Sequence, residues 1–362
     1  MHPLVVTARR PWEVLEPLEA VGVSFSAVQV DPSDGVGRRF VDTYRRVRDT
    51  IATAPVDTVL IDVYDVPGLA AWAAAKRSGT PLVVRLVGDK IGDVVDDQVA
   101  SNRTAGSYAG QLSHRATDLM NRRIIGAADG AVVVSQELKE RYCERGHFEG
   151  HEVAVVPVPF RPDVFGATAP EPQDESDEEL ILSVTNLAFK RKFDGMCDAL
   201  AGVEAVLERR QSARYVIAGG GQFVAPLREH IERHCAPDIR DRITVAGFVD
   251  DIDRLYASAD VLVYISYLDG YPNVVLEAQG CGLPVVANDD LGMRDQITDG
   301  ETGLLVDPTA DGHLPRAVSQ LLEDDDERVR LGNNARERVE TENAQSVIGS
   351  ELQDGLAQIR TG

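Results

Sequence analysis

The segment from Tyr267 to Val286, YLDGYPNVVLEAQGCGLPVV, combines a loop that can bind phosphate with a helix start and two spaced carboxylates. Pro272 suits the first turn of a helix, because its missing N–H costs nothing there, and the loop before it leaves backbone N–H groups available. Such a helix start attracts anions. The carboxylates of Asp269 and Glu277 can accept hydrogen bonds from paired hydroxyl groups. The segment therefore predicts a site for a sugar attached to a phosphate.

A second chemical feature is the basic run Lys190-Arg191-Lys192, which holds two of the five lysines in the chain. It follows the predicted strand at 180–186, and cations at the carboxyl end of a strand can bind a diphosphate. We predict Lys192 and Arg191 as phosphate ligands; a solvated basic loop is the alternative. Gly219 and Gly220 follow the strand predicted at 214–220 and permit close approach of backbone to a ligand, although a tight turn explains them equally well.

The first segment resembles the signature of glycosyltransferase family 4, the retaining nucleotide-sugar transferases of GT-B architecture. The signature is matched by Gly270, Tyr271, Pro272, Asn273, Glu277, Ala278, Gly282, Pro284, Val285 and Val286. Its first glutamate is Asp269 here, which keeps the charge but shortens the side chain by one methylene. The likeness continues through Gly247-Phe248-Val249 and 303–308, and it is most specific over roughly residues 180–310.

The resemblance implies the roles of individual residues. Asp269 would lie near the transferred sugar, Glu277 would bind the ribose of the donor, and Lys192 and Arg191 would stabilise the departing diphosphate. The implied donor-binding residues are Asn186, Gly219, Gly220, Val249, Gly270, Tyr271, Pro272, Asn273 and Val274. The donor would be a UDP- or GDP-type nucleotide sugar, the acceptor a glycan, a lipid-linked molecule or a small molecule, and no metal or other cofactor would be required. No residue is identified as a general base, and in this family the leaving phosphate is often thought to deprotonate the acceptor.

The acceptor side is less well defined by the sequence. Arg9 and Arg10 follow the first predicted strand, where an anionic acceptor such as a lipid-linked phosphate would explain them; ordinary surface arginines are the alternative. Asp89 lies where the family often has a histidine that touches the donor sugar. His114 is a candidate replacement for that histidine, and a histidine on a helix surface is the alternative.

Two other functions agree with the same residues. One is a sugar-nucleotide-binding protein without activity, favoured by Asp269, by Asn186 in place of the family arginine, and by the missing histidine. The other is a GT-B enzyme of another kind, such as a nucleotide-sugar epimerase. Donor hydrolysis or transfer by the purified protein separates these functions from glycosyl transfer.

The net charge of −22 limits the choice of partners. A chain this acidic repels nucleic acid and anionic membrane over most of its surface, so that membrane contact would be weak and peripheral, through a local patch such as Arg9-Arg10 or Arg122-Arg123. The charge indicates a halophilic surface. The four scattered cysteines argue against a zinc site and a disulfide framework. The N-terminal sequence lacks the features of a secretion signal and no apolar run could span a bilayer, so we expect a cytoplasmic protein.

The pattern of apolar segments predicts an α/β fold of two doubly wound, Rossmann-like domains facing each other across a cleft. Short β-branched runs alternate with helical patterns in both halves, which is typical of parallel sheets covered on both faces. We predict an N-terminal domain over 1–165, an acidic linker over 166–179 and a nucleotide-sugar domain over 180–340. The resemblance to GT-B enzymes implies that a last helix, over 341–362, packs back on the first domain.

Overall fold

The computed structural model describes residues 1–31, 33, 35–91, 108–166 and 178–361, with the backbone alone at 108–113 and 361. The chain divides into two compact units, one formed by Met1–Pro159 with Asn343–Gly362 and the other by Phe160–Glu342. Each unit contains a six-stranded sheet whose described strand pairs are all parallel, covered by helices, which confirms the predicted α/β class. None of the helices in the described ranges is both long and apolar enough to cross a bilayer.

The first unit alternates strands and helices along the chain. Its elements in the N-terminal part are β1 (Pro3–Thr7), α1 (Trp12–Ala20), β2 (Ser26–Gln29), α2 (Val36–Thr53), β3 (Thr58–Ile61), α3 (Asp65–Ser78), β4 (Leu82–Leu86), α4 (Tyr108–Ile125), β5 (Gly130–Val133), α5 (Gln136–Glu144) and β6 (Val153–Val155). The strand order is β2-β1-β3-β4-β5-β6. Strands β1, β3, β4 and β5 are buried throughout, as expected of β-branched runs between two helical layers. Helix α5 begins after Ser135, whose hydroxyl caps the helix by accepting a hydrogen bond from the backbone N–H of Leu138.

The second unit repeats this architecture. Its elements are α6 (Pro162–Phe165), β7 (Glu179–Val184), α7 (Lys190–Arg209), β8 (Ala213–Ala218), α8 (Val224–His234), α9 (Pro237–Arg240), β9 (Ile243–Gly247), α10 (Ile252–Ser258), β10 (Val261–Tyr264), α11 (Asn273–Gly280), β11 (Val285–Asn288), α12 (Met293–Gln296), β12 (Leu304–Val306), α13 (His313–Glu323) and α14 (Asp325–Glu342). The strand order is β12-β11-β10-β7-β8-β9. The chain adds β8 and β9 on one side of β7 and then β10, β11 and β12 on the other side, so the order of strand addition reverses between β7 and β10. In open α/β sheets, ligands bind outside the carboxyl ends of the strands at such a reversal.

The boundary between the units differs from the predicted one. The second unit begins at Phe160 and not after an acidic linker at 166–179, of which residues 167–177 lie outside the described part of the chain. Residues after Pro159 belong to the second unit because they pack into it. The ring of Phe160 lies where a side chain on Gly280 would have to sit, and the ring of Phe165 packs edge-on against Tyr256 at a centroid distance of 6.1 Å.

The end of the chain returns to the first unit. Helix α15 (Gln345–Thr361) packs against α1, and its Leu352 and Leu356 side chains are buried in the core that contains Val5 and Leu60. The last segment of this unit starts at Asn343, two residues after the predicted start at 341. The Asn343 side-chain amide donates a hydrogen bond of 2.8 Å to the carbonyl oxygen of Val158, which anchors that start.

Candidate functional site

Three cations occupy the first turn of α7. Lys190, Arg191 and Lys192 begin this helix, which follows β7 at the reversal of the sheet. Positive charge is unfavourable at a helix N-terminus, where the helix dipole is itself positive, by about 0.3–1 kcal/mol for each charge. The three side chains concentrate positive charge at the carboxyl end of β7, a place where open α/β sheets bind ligands.

Lys192 has an anionic partner within the protein. Its ammonium lies 3.0 Å from Asp269 Oδ1, and the side chain is only 11% exposed. Arg191 donates a hydrogen bond of 3.4 Å to the carbonyl oxygen of Tyr267, whereas Lys190 pairs with Asp194 one turn along the helix. The structure thus brings together the predicted phosphate ligands and the loop at 267–270, which follows β10.

Asp269 is held by three side chains. Its Oδ2 accepts hydrogen bonds of 2.7 Å from the Tyr264 hydroxyl and 2.6 Å from the Ser266 hydroxyl, while Oδ1 faces Lys192. Burial alone would raise the pKa of Asp269, but the Lys192 charge and the two hydroxyl donors outweigh burial and lower that pKa. Asp269 is therefore an ionised carboxylate in a fixed position.

The loop around Asp269 is itself fixed by buried polar contacts. The Asn288 side chain at the end of β11 accepts from the Ser266 backbone N–H at 2.9 Å and donates to the Ser266 carbonyl at 3.0 Å. Gly292 lies so close to Gly270 that a Cβ atom would come within 1.9 Å of the Gly270 oxygen. Tyr264, Ser266 and Asn288 were not among the predicted site residues. The signal for them was a tyrosine and a serine ending a buried strand, since a buried Tyr hydroxyl needs a hydrogen-bond partner.

Glu277 lies one helical turn into α11. The helix begins at Asn273, so Pro272 does not lie in its first turn as predicted but precedes it in extended backbone. The Tyr256 hydroxyl on α10 donates a hydrogen bond of 3.0 Å to Glu277 Oε2. Burial, together with the Glu277 carboxylate, raises the pKa of Tyr256, so that the phenol stays a donor. Gly270, Tyr271, Asn273 and Val274, all predicted donor ligands, lie in the same loop and first helical turn.

The glycines after β8 pack against the loop that precedes α7. Gly219 has φ +138, and a Cβ atom there would lie 1.7 Å from the Thr185 oxygen, so only glycine fits. The Gly220 oxygen accepts a hydrogen bond from the Leu187 N–H, and the exposed Asn186 caps its own loop through the Ala188 N–H. Val249 is half-buried just after β9. These residues shape the loops at the carboxyl ends of β7, β8 and β9.

In the first unit, the predicted acceptor-side residues lie on different elements. Arg9 and Arg10 are exposed after β1, with Arg10 paired to Glu13 at 3.2 Å. Asp89 is buried in an ion pair of 2.5 Å with Arg145 and accepts from the Ile91 N–H, so that its carboxylate fixes the segment after β4. His114 lies half-buried on α4.

A different set of charged residues lies at the carboxyl ends of β1, β3 and β4, where that sheet reverses direction. Arg85 is buried and pairs with Glu13 at 3.0 Å and with Asp62 at 3.2 Å. The Thr7 hydroxyl donates to Asp62, and burial raises the pKa of Asp62 although the Arg85 charge opposes it. No sequence pattern indicates this network, because its members are widely separated in the chain and belong to no motif.

Two family models match the chain. Residues 1–159 match the one described as glycosyl transferase 4-like domain, and residues 167–338 match the one described as glycosyl transferases group 1. The chain belongs to glycosyltransferase family 4. The residues that bear the family 4 signature are those of the loop before α11 and of α11 itself, which lie beside the first turn of α7.

Curated proteins similar to this family 4 chain come from several organisms. An uncharacterized glycosyltransferase of Methanocaldococcus jannaschii is 29% identical over 58% of this chain and 54% of its own length. A D-inositol 3-phosphate glycosyltransferase of Xylanimonas cellulosilytica is 29% identical over 75% of this chain and 65% of its own length. A GDP-mannose-dependent alpha-(1-6)-phosphatidylinositol monomannoside mannosyltransferase of Mycobacterium tuberculosis is 28% identical over 49% of this chain and 46% of its own length. The chain thus spans about half to two thirds of these relatives.

Solved structures show the same fold. Sucrose-phosphate synthase from Thermosynechococcus elongatus has a TM-score of 0.73 at 20% identity, with all of both chains covered. Anabaena HepE in complex with UDP-glucose has a TM-score of 0.71 at 16% identity, with 99% of both chains covered. This family 4 chain therefore has the GT-B fold.

Proposed function

We propose that this chain is a glycosyltransferase that moves a sugar from a UDP- or GDP-type nucleotide sugar to a hydroxyl group of an acceptor, with retention of anomeric configuration. The observation that carries the proposal is the position of Lys192 and Arg191 in the first turn of α7, beside the loop that leads into α11. Two helix starts and two cations at the reversal of a parallel sheet form a site for the diphosphate of such a donor.

The chemical step breaks the bond between the anomeric carbon and the diphosphate oxygen and forms a bond from that carbon to the acceptor oxygen. The diphosphate leaves with the bonding electron pair, and the proton of the acceptor hydroxyl passes to it. Lys192, Arg191 and the backbone N–H groups at the start of α11 stabilise the charge that develops on the leaving oxygen. In this mechanism Lys192 and Arg191 supply the positive charge that a metal ion supplies in other enzymes.

The remaining residues bind the donor. Glu277 accepts hydrogen bonds from the ribose hydroxyls, and the Tyr256 hydroxyl holds it in place. Asp269 acts close to the transferred sugar, with Tyr264 and Ser266 holding its carboxylate. The relatives support such a donor: HepE was solved with UDP-glucose, and the mycobacterial mannosyltransferase is named as GDP-mannose-dependent.

The experiment is a screen of UDP- and GDP-sugars with the purified protein. Thermal shift identifies the donor that binds, and release of UDP or GDP, with and without added acceptors, measures turnover. Proton NMR of the first product formed gives the anomeric configuration. Binding without any release of nucleotide would favour a binding protein, and interconversion of one nucleotide sugar into another would favour an epimerase.

A further inference from the structure

Two histidines at the end of α8 lie against each other. His230 and His234 are four residues apart, a spacing that places them on the same side of a helix. Their ring centroids are 4.4 Å apart, with an angle of 39° between the ring planes. His230 is half-buried and His234 is exposed, so the pair can be reached from solvent. Two imidazoles at this spacing on one helical face are an arrangement by which helices hold a zinc ion.

The ring nitrogens of this pair are available as ligands. Within the ranges that the structure describes, neither ring makes a hydrogen bond or an ion pair. The pKa of His230 is lowered, first because burial disfavours the charged ring and then because His234 and Arg233 add positive charge nearby. The His230 ring is therefore mainly neutral at pH 7, and a neutral imidazole is the form that binds a metal ion.

The surroundings of the pair favour a cation. His234 is the last residue of α8, and the C-terminal end of a helix carries the negative end of the helix dipole. The charge of Arg233 is offset by an ion pair with Glu229, one turn before it. The net charge of −22 also raises the concentration of cations at the surface of the protein.

The pair alone supplies the protein ligands. Cys235 follows His234, but burial and the Glu204 side chain raise the pKa of its thiol to about 11, so it is not a thiolate at neutral pH. No group of three histidines, cysteines or carboxylates placed to hold a metal ion occurs in the described part of the chain. Water would fill the remaining positions around an ion. Imidazole ligands suit Zn²⁺ and Ni²⁺, whereas Mg²⁺ and Ca²⁺ prefer oxygen ligands.

Aromatic contacts connect the pair to the start of α7. The His230 ring lies edge-on to the ring of Phe193, with a centroid distance of 6.5 Å. Phe193 in turn stacks on Phe223, just before α8, at a centroid distance of 5.3 Å. An ion that fixes the His230 ring would therefore also fix the end of α8 against the start of α7.

We propose that His230 and His234 form a binding site for a divalent transition-metal ion such as Zn²⁺ or Ni²⁺. Each imidazole donates one nitrogen lone pair to the ion. The bound ion holds the last turn of α8 and, through Phe193, the start of α7. The ion takes no part in the proposed transfer step, in which Lys192 and Arg191 supply the positive charge, and the site is tested by binding without any activity.

The experiment is isothermal titration calorimetry of the full chain with NiCl₂, ZnCl₂ and MgCl₂ at about pH 7.5, where an imidazole is mainly neutral. The variants are His230→Gln/His234→Gln and His234→Gln; the second changes only an exposed side chain and repeats the test if the double variant does not fold. The matched control is His151→Gln/His313→Gln, which removes two exposed histidines elsewhere on the molecule. Amide hydrogen exchange with and without Ni²⁺ follows the backbone of α7 and α8.

We expect wild type and control to bind Ni²⁺ and Zn²⁺ alike, and both variants of the pair to bind them at least about tenfold more weakly. Binding of Ni²⁺ to wild type should also weaken at least about tenfold at about pH 5.5, because protons compete for the ring nitrogens. Mg²⁺ should bind more weakly than either transition metal. Exchange should slow at the end of α8 and the start of α7 when Ni²⁺ is bound.

Three results of the titrations would overturn the site. Equal Ni²⁺ affinity in wild type and the double variant would identify an adventitious ion only. Equal losses in the double variant and the control would show that the pair has no special role. Binding of Mg²⁺ as tight as that of Ni²⁺ would assign the ion to the acidic surface. Unchanged hydrogen exchange at the start of α7 would overturn the connection through Phe193.

Discussion

Lys192 and Asp269 form an ion pair of 3.0 Å between the first turn of α7 and the loop after β10. The cation proposed to bind the diphosphate is thus held by the carboxylate proposed to act near the sugar. Because Tyr264 and Ser266 fix Asp269, they also fix the position of Lys192. A bound diphosphate would share Lys192 with Asp269, and the ammonium, with three donor hydrogens, can serve both.

Lys192→Ala should lower the rate of glycosyl transfer by about 10²–10³-fold, the usual effect of removing a group that stabilises the charge of a transition state. It also leaves Asp269 without its cation, so we expect the free energy of unfolding to fall by about 1–3 kcal/mol. The measurements are turnover with the donor found by screening and denaturant unfolding. Lys139→Ala, on α5 in the first unit, is the control and should change neither quantity. Near-normal turnover of Lys192→Ala would remove this lysine from the site.

Glu277→Gln should weaken nucleotide-sugar binding, since an amide has one acceptor oxygen where the carboxylate has two. Tyr256→Phe removes the hydrogen bond that orients Glu277 and should weaken binding to a smaller extent. Isothermal titration calorimetry measures both effects. Glu301→Gln, an exposed residue of the same unit, is the matched control. If all three variants bound the donor as the wild type does, Glu277 would not be a ribose ligand.

The pH dependence of stability should reveal the fixed charge of Asp269. Its pKa in the folded chain is lowered from the ordinary value of 3.8, so its ionisation stabilises the fold above that value, and this contribution is lost as pH falls through the lowered pKa. Wild type should therefore lose more unfolding free energy between about pH 5 and about pH 3 than Asp269→Asn does. Tyr264→Phe, which keeps both charges, should fall between the two. Parallel curves for wild type and Asp269→Asn would contradict the assigned shift.

Salt should stabilise the protein, because the charge of −22 produces repulsion among surface carboxylates. Raising the salt concentration shortens the Debye length from ~10 Å at 0.1 M to ~3 Å at 1 M and screens this repulsion. Melting temperature and transfer rate should both rise along a KCl series up to molar concentration. Maxima of both at low salt would show that the acidic surface is not halophilic.

The sequence predicted the central strands and the edge strands β6 and β9, but it missed the edge strand β2. Strand β3, for example, contains the apolar run Val59-Leu60-Ile61, because both of its faces are buried. Strand β2, SAVQ, has one buried residue and polar neighbours, so its pattern does not differ from that of a loop. The boundary at Pro159 was missed because a tertiary contact, that of Phe160 with Gly280, sets it and composition does not.

The sequence predicted the residues of the candidate site but did not predict the contacts between them. The signature placed Asp269 and Glu277, and the scarcity of lysine drew attention to Lys192. The hydrogen bonds of Tyr264, Ser266 and Asn288 depend on how β10 and β11 lie side by side, which no local pattern contains. In the first unit, the Glu13–Asp62–Arg85 network joins three separate strands and helices and could be found only from the fold.

The return of residues 343–362 to the first unit makes the second unit, in chain order, an insertion within the first. During synthesis on the ribosome, the second unit has all of its residues before the first unit has its α15. One side of the core of the first unit, which Leu352 and Leu356 cover in the finished chain, therefore stays exposed while the inserted unit is synthesised. A nonsense change late in the reading frame would thus damage the domain that the ribosome made first.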